Sequence, residues 1–140
     1  MRVIGFTFKK ILVEKNKEII NKVNIQTDMK IKDIRKGKSD LFKNNETILV
    51  EYDFKIEYQP DFARILFEGG LVFLIDDKND EDLIKEVLSQ WKDKKIHEEF
   101  LRITLQLVFN KCSIKALLLE DYLNLPPHLP NPIFTKEDKK

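Results

Sequence analysis

Every even position from Ile48 to Tyr58 is apolar or aromatic, in the order Ile48, Val50, Tyr52, Phe54, Ile56 and Tyr58. Between them lie Leu49, Glu51, Asp53, Lys55 and Glu57. Period-two alternation of this length predicts an antiparallel strand with one buried face and one wet face. Gln59-Pro60-Asp61 supplies a turn, because proline cannot donate to a ladder. The chain then returns as a strand over 62–75, and its Gly69-Gly70 pair predicts a bulge or a close backbone approach. Upstream, Ile4, Phe6 and Phe8 share one parity while Ile11 and Val13 share the other. That switch predicts a strand over 3–14 with a bulge at Lys9-Lys10. Residues 15–22 form a polar connection carrying Ile19 and Ile20, and residues 23–34 resume the alternation through Val23, Ile25, Met29 and Ile31.

Beyond the acidic stretch Asp76 to Asp82 the period changes. Leu83, Ile84, Val87, Leu88 and Trp91 recur at helical spacing, and Asn79 or Asp80 is the expected N-cap. A second helix is expected over about 97–111, apolar around more than half of its circumference, as helices packed on two sides are. Ile114 to Leu125 is rich in leucine and runs into Pro126-Pro127-His128-Leu129-Pro130-Asn131-Pro132. Prolines at that density force an extended segment. Strands followed by helices, without βαβ alternation, predict one α+β domain over 1–140. Its expected parts are a sheet over 3–75, helices over about 80–112 and a lid-like tail over 113–134.

Charge changes the picture little. Charged residues are 35% of the chain but nearly cancel, leaving +1. That argues against a nucleic-acid partner, which calls for a strongly basic face. Residues 1–40 hold 11 Lys and Arg against 5 Asp and Glu, and residues 41–140 hold 14 against 19. The split is compatible with solvated faces of opposite sign. The longest apolar run, Leu71 to Ile75, is far short of the ~20 residues of a membrane span. Phe6 and Phe8 alternate with polar residues rather than form an apolar leader, so a cytoplasmic location without membrane insertion is expected.

Candidate chemistry is sparse. His97 and His128 stand far apart without cysteine partners, which is no zinc spacing. His97 is expected to cap a helix, and His128, among prolines, to lie on the surface. Ser113 has no Gly-x-Ser-x-Gly elbow, and Gly69-Gly70 leads into a strand rather than a phosphate-binding helix. Asp76 to Asp82 lacks the central glycine and spacing of a calcium loop. Cys112, the single cysteine, is expected as a buried small hydrophobe. No enzyme activity, metal or cofactor is expected. What remains is apolar material in excess of one small core, and such excess marks subunit contacts or a binding groove.

Two segments carry a family resemblance. Leu66-Phe67-Glu68-Gly69-Gly70-Leu71-Val72-Phe73 resembles the Glu-Val-x-x-Gly-x-apolar-Phe strand of the SecB family of protein-export chaperones. Gly70 and Phe73 match it, and Leu66 replaces the acid. Leu123-Asn124-Leu125-Pro126-Pro127 is similar to that family's Leu-Asn-Leu-x-Pro segment after its long helix. In order and spacing the resemblance spans residues 3–134. It implies a four-stranded antiparallel sheet, a long helix between sheets, a homotetramer, and grooves that hold extended non-native polypeptides or preproteins without ATP. The expected oligomer contacts are Phe6, Phe8, Leu101, Leu105 and Val108. In the expected client groove, Ile19 and Ile20 form one rim and Phe54 and Tyr58 the floor, while Tyr122, Leu123 and Leu125 form a lid. Family members usually have an acidic surface and a second C-terminal helix; this chain is near neutral and no second such helix is expected after its proline segment, which puts docking on the SecA translocation motor in doubt. A dedicated chaperone of one partner, such as an antitoxin, and an oligomeric small-ligand-binding domain are the alternative readings.

Overall fold

In the computed structural model, residues 1–18, 22–37 and 46–130 are described. Four strands, β1 (Arg2–Lys15), β2 (Asn24–Gly37), β3 (Glu46–Gln59) and β4 (Ala63–Ile75), precede two helices, α1 (Lys78–Lys92) and α2 (Glu98–Tyr122). The sheet order is β1-β4-β3-β2, and each neighbouring pair is antiparallel. The long alternating strand is therefore central, and β1 and β2 are the two edges.

Alternation decides what is buried. The even residues of β3 from Ile48 to Tyr58 and the odd residues of β4, Ile65, Phe67, Leu71 and Phe73, are closed off from solvent. They stack across the ladder, with Phe54 opposite Phe67 and Ile56 opposite Ile65. The rings of Phe54 and Phe67 lie 5.8 Å apart, nearly parallel. The expected switch at Lys9-Lys10 is a register shift between Phe8 and Lys10, and a second shift separates Val3 from Gly5. Gly69 is where β4 passes tightest. A Cβ there would collide with the Thr7 carbonyl and fall 2.6 Å from the Tyr52 hydroxyl, which itself donates to that carbonyl at 3.1 Å.

The helices cover the apolar sheet face. α1 is capped by Asp77 rather than Asn79 or Asp80, its carboxylate accepting the Asn79 N–H at 3.3 Å. Earlier capping lets Asp80 and Glu81 fall in the first turn, where carboxylates favour the dipole. α2 is capped by His97, as expected, through the Phe100 N–H at 3.4 Å. It runs on past residue 112 to Tyr122, so residues 113–122 are helix and not tail. The cause is a stripe at four-residue spacing: Phe100, Thr104, Val108, Cys112, Ala116 and Glu120 are all buried. That row continues without a break into the leucine-rich segment, so the helix ends only at the turn before the prolines. Leu123 N–H bonds back to the Leu119 carbonyl, and Asn124 takes positive φ.

Candidate functional site

A groove opens where α2 leaves the sheet near edge strand β2. Met29 and Ile31 of β2, Trp91 of α1, Ile96 of the connection, and Leu101 and Leu105 of α2 line a cavity of about 550 Å³ with Lys30, Lys32 and Lys94. A second cavity, about 740 Å³, is lined by the same Leu101 and Leu105 together with His97, Glu98, Glu99 and Arg102. The two leucines are thus the apolar ridge common to the two lobes of this trough. α1 is tied over it by Trp91, whose indole N–H donates to Asp33 at 3.2 Å. Burial opposes ionisation of Asp33, yet the hydrogen bonds from Arg35 and Trp91 outweigh it and hold the carboxyl below its usual range.

The sheet face opposite the helices is charged but internally paired. Glu51 accepts from Arg35 at 3.0 Å and Lys9 at 3.2 Å, and these cations hold its carboxyl below the usual range. Glu14 meets Arg64 at 2.9 Å, and Lys55 meets Glu57 at 2.6 Å. Opposite signs on these strands pair much of this surface.

A third feature was not anticipated from the residues. His128, expected on the surface, has a fully buried side chain. Its Nδ1 lies 2.8 Å from Glu120 Oε1, and its Nε2 lies 3.0 Å from Ser113 Oγ. The other Glu120 oxygen accepts the His128 N–H at 2.8 Å and the Tyr58 hydroxyl. The Pro126 carbonyl lies 2.9 Å from the same Tyr58 hydroxyl, as a second acceptor for its single proton. The Ser113–His128–Glu120 chain has the connectivity of a nucleophile, a base and an orienting carboxylate. Ser113 is itself buried on α2, and neither of the two cavities in the trough reaches it. Its evident work is to satisfy a buried carboxylate and so fasten the segment after α2 onto β3. Burial first, then the Glu120 carboxylate, pushes the Tyr58 phenol well above its usual range. Cys112 is buried beside Tyr52, and burial raises its thiol to about 12. Glu120 gave no signal in the sequence, because its partners come from β3 and from a proline segment that looked exposed.

The expected site residues divide accordingly. Phe54 and Tyr58 are fully enclosed and do not floor an open groove, because α2 and the His128 segment lie over them. Leu125 is buried and packs into the core, so it covers rather than closes like a lid; Leu123 is half-buried and Tyr122 is 81% exposed. Ile19 and Ile20 lie outside the described residues. Val108 is core and is not available as an oligomer contact, whereas Phe6, Phe8, Leu101 and Leu105 are half-buried at the margins. The exposed apolar face of α2 lies elsewhere, at Ile114 (65%), Leu117, Leu118 (53%) and Tyr122.

No family model matches the chain. No curated protein matches it either. Among solved structures, it matches a SecB-like chaperone of Mycobacterium tuberculosis in complex with a ChAD peptide from the HigA1 antitoxin. That match has a TM-score of 0.50 and 13% identity, over 96% of this chain and 91% of that one. The fold is thus the SecB-like α+β arrangement of a four-stranded antiparallel sheet followed by helices. Among the described residues no helix is long and apolar enough to cross a membrane.

Proposed function

We propose that this chain is an ATP-independent, non-enzymatic chaperone that holds non-native polypeptide in the trough between β2 and α2. The observation that carries the proposal is the half-exposed apolar ridge of Leu101 and Leu105, continuous with Met29, Ile31, Trp91 and Ile96. Half-buried apolar side chains in an open channel keep area available for a partner, at about 25 cal/mol per Å² removed from water. The SecB-like fold supports the reading. Aromatic and methionine side chains suit clients of varied sequence, since they offer large contact area and adaptable packing.

Dedication to a single partner, such as an antitoxin, has its own support: the M. tuberculosis structure was solved with an antitoxin peptide bound. A role in export has less, because the outer sheet face is a lattice of paired charges rather than an acidic surface. The exposed stripe on α2 supports a homo-oligomer, with a tetramer as the form the resemblance implies. A cytoplasmic site of action fits this role.

The test is a solution mass measurement joined to an aggregation-suppression assay on chemically unfolded clients without nucleotide. Suppression of several unrelated clients at near-stoichiometric chaperone supports general holding. Suppression of one co-expressed partner alone supports the dedicated form, and failure with every client refutes the proposal.

A further inference from the structure

Trp91 is the single tryptophan of the chain and lines the trough half-buried, on the last turn of α1. Two features that cost stability converge on its ring. The first is at edge strand β2, whose register with β3 shifts between Ile31 and Asp33. Bulges re-aim side chains, and beyond this one Asp33 stands directly opposite Glu51. Like charges facing across a ladder are destabilising. Arg35 offsets that cost by bridging Asp33 Oδ2 at 2.9 Å and Glu51 at 3.0 Å. Asp33 Oδ1 is left for the helix layer, where it accepts the Trp91 indole N–H at 3.2 Å. The second feature is the end of α1. Lys94 N–H bonds to the Trp91 carbonyl at 2.8 Å and Lys95 N–H to the Gln90 carbonyl at 3.0 Å, the paired closure of a Schellman turn. That turn sets Lys94 at a φ of 59°, where glycine is favoured and a side chain is strained. The lysine present there places its ammonium 4.7 Å from the centre of the Trp91 ring.

We infer that Asp33 and Lys94 are positioning residues of the trough, which clamp Trp91 as a rigid wall for client side chains to pack on. This rests on the chaperone reading above. The carboxylate fixes the edge of the ring and the ammonium covers its face. An aromatic already held in one orientation loses little freedom when a client docks, so more of its contact area appears as affinity. Neither the strand nor the helix gains from the arrangement on its own account. Glycine would close the Schellman turn with less strain, and a neutral residue at the bulge would spare β2 the opposition of two acids.

The experiment titrates the full chain with a reduced, carboxymethylated, tryptophan-free polypeptide that stays unfolded, and reads Trp91 fluorescence anisotropy before each titration. Asp33→Ala should free the indole, lowering its anisotropy, and weaken client binding about fivefold, as loss of one orienting hydrogen bond allows. Asp33→Asn keeps an acceptor and should bind within about twofold of wild type. Lys94→Gly should leave the melting temperature unchanged or raise it, yet weaken binding about threefold. In a Trp91→Phe background, which lacks the N–H, Asp33→Ala should cause no further loss. Undiminished affinity in either folded variant overturns that residue's role and leaves client holding intact. An equal loss from Asp33→Ala with and without the indole overturns the clamp, since the carboxylate then acts otherwise than through Trp91. Failure of the wild-type chain to bind the polypeptide overturns the function and the inference with it.

Discussion

Replacing Glu120 with alanine should loosen the junction between α2, β3 and the proline segment. The carboxylate accepts from the Tyr58 hydroxyl, the His128 N–H and the His128 ring. Alanine strands these donors in a region where the His128 side chain is fully buried. Each buried donor without a partner costs roughly 1–3 kcal/mol, and Tyr58 keeps the Pro126 carbonyl as compensation. A loss of about 3–5 kcal/mol follows, as for breaking a buried charged network. For a chain of this size that is roughly 10–15 °C in Tm. Thermal and urea denaturation followed by circular dichroism give the magnitude. Chymotrypsin cleavage near Leu125 gives the place, since that segment should become accessible before global unfolding. Glu120→Gln, which keeps shape and one acceptor, should cost less than half as much. A Glu120→Ala Tm within 2 °C of wild type would refute the view that this network fastens the segment.

Gly69→Ala should destabilise by at least about 2 kcal/mol, because the new methyl meets the Thr7 carbonyl and the Tyr52 hydroxyl, whereas Gly70→Ala finds its nearest atom at 3.4 Å and should be nearly neutral. Paired melting curves decide it, and equal effects at the two positions would contradict the close approach. Stability should fall as pH rises above about 9: burial raises the Cys112 thiol from its ordinary 9.0 to about 12 and lifts the Tyr52 and Tyr58 phenols above 10.0. The unfolded chain loses those protons first, so their stabilisation is complete below the ordinary values and is lost through the alkaline range. Urea midpoints at pH 8 and pH 10.5 should show the drop, and the native thiol should react with a disulfide reagent far more slowly than the unfolded one. Ile114→Ser/Leu118→Ser should lower the solution mass with little change in protomer fold, since both side chains are mostly exposed in the single chain; an unchanged mass by light scattering would place the oligomer contact elsewhere.

The strands were legible because their burial follows parity. Ile48 to Tyr58 alternates without error, and the Lys9-Lys10 switch marks the shift found at Phe8 and Lys10. The helix end was not legible. Ile114, Leu117 and Leu118 look like tail residues because they add apolar positions off the buried row, while the row itself continues through Ala116 and the charged Glu120. The same substitution of charge for grease hid the His128 network: a histidine among prolines reads as surface, and Glu120 carries no signal until Tyr58, 62 residues before it, is brought beside them. The trough was not legible. Leu101 and Leu105 stood out as surplus apolar residues but read as subunit contacts, and Trp91, Ile96 and Met29 join them only once α1 is folded against β2. Phe54, Tyr58 and Leu125 were misplaced for the converse reason, since α2 extends far enough to close over that end of the sheet.

Client holding in the trough is tested most directly by calorimetric titration of a permanently unfolded polypeptide into the wild-type chain and into Leu101→Asp/Leu105→Asp. Both leucines are half-buried on the ridge that the two cavities share. Charging them should weaken binding at least about tenfold, the equivalent of losing one well-packed apolar contact, with little loss of helix signal. Undiminished client affinity in the folded double variant would contradict the assignment of the client site to this trough.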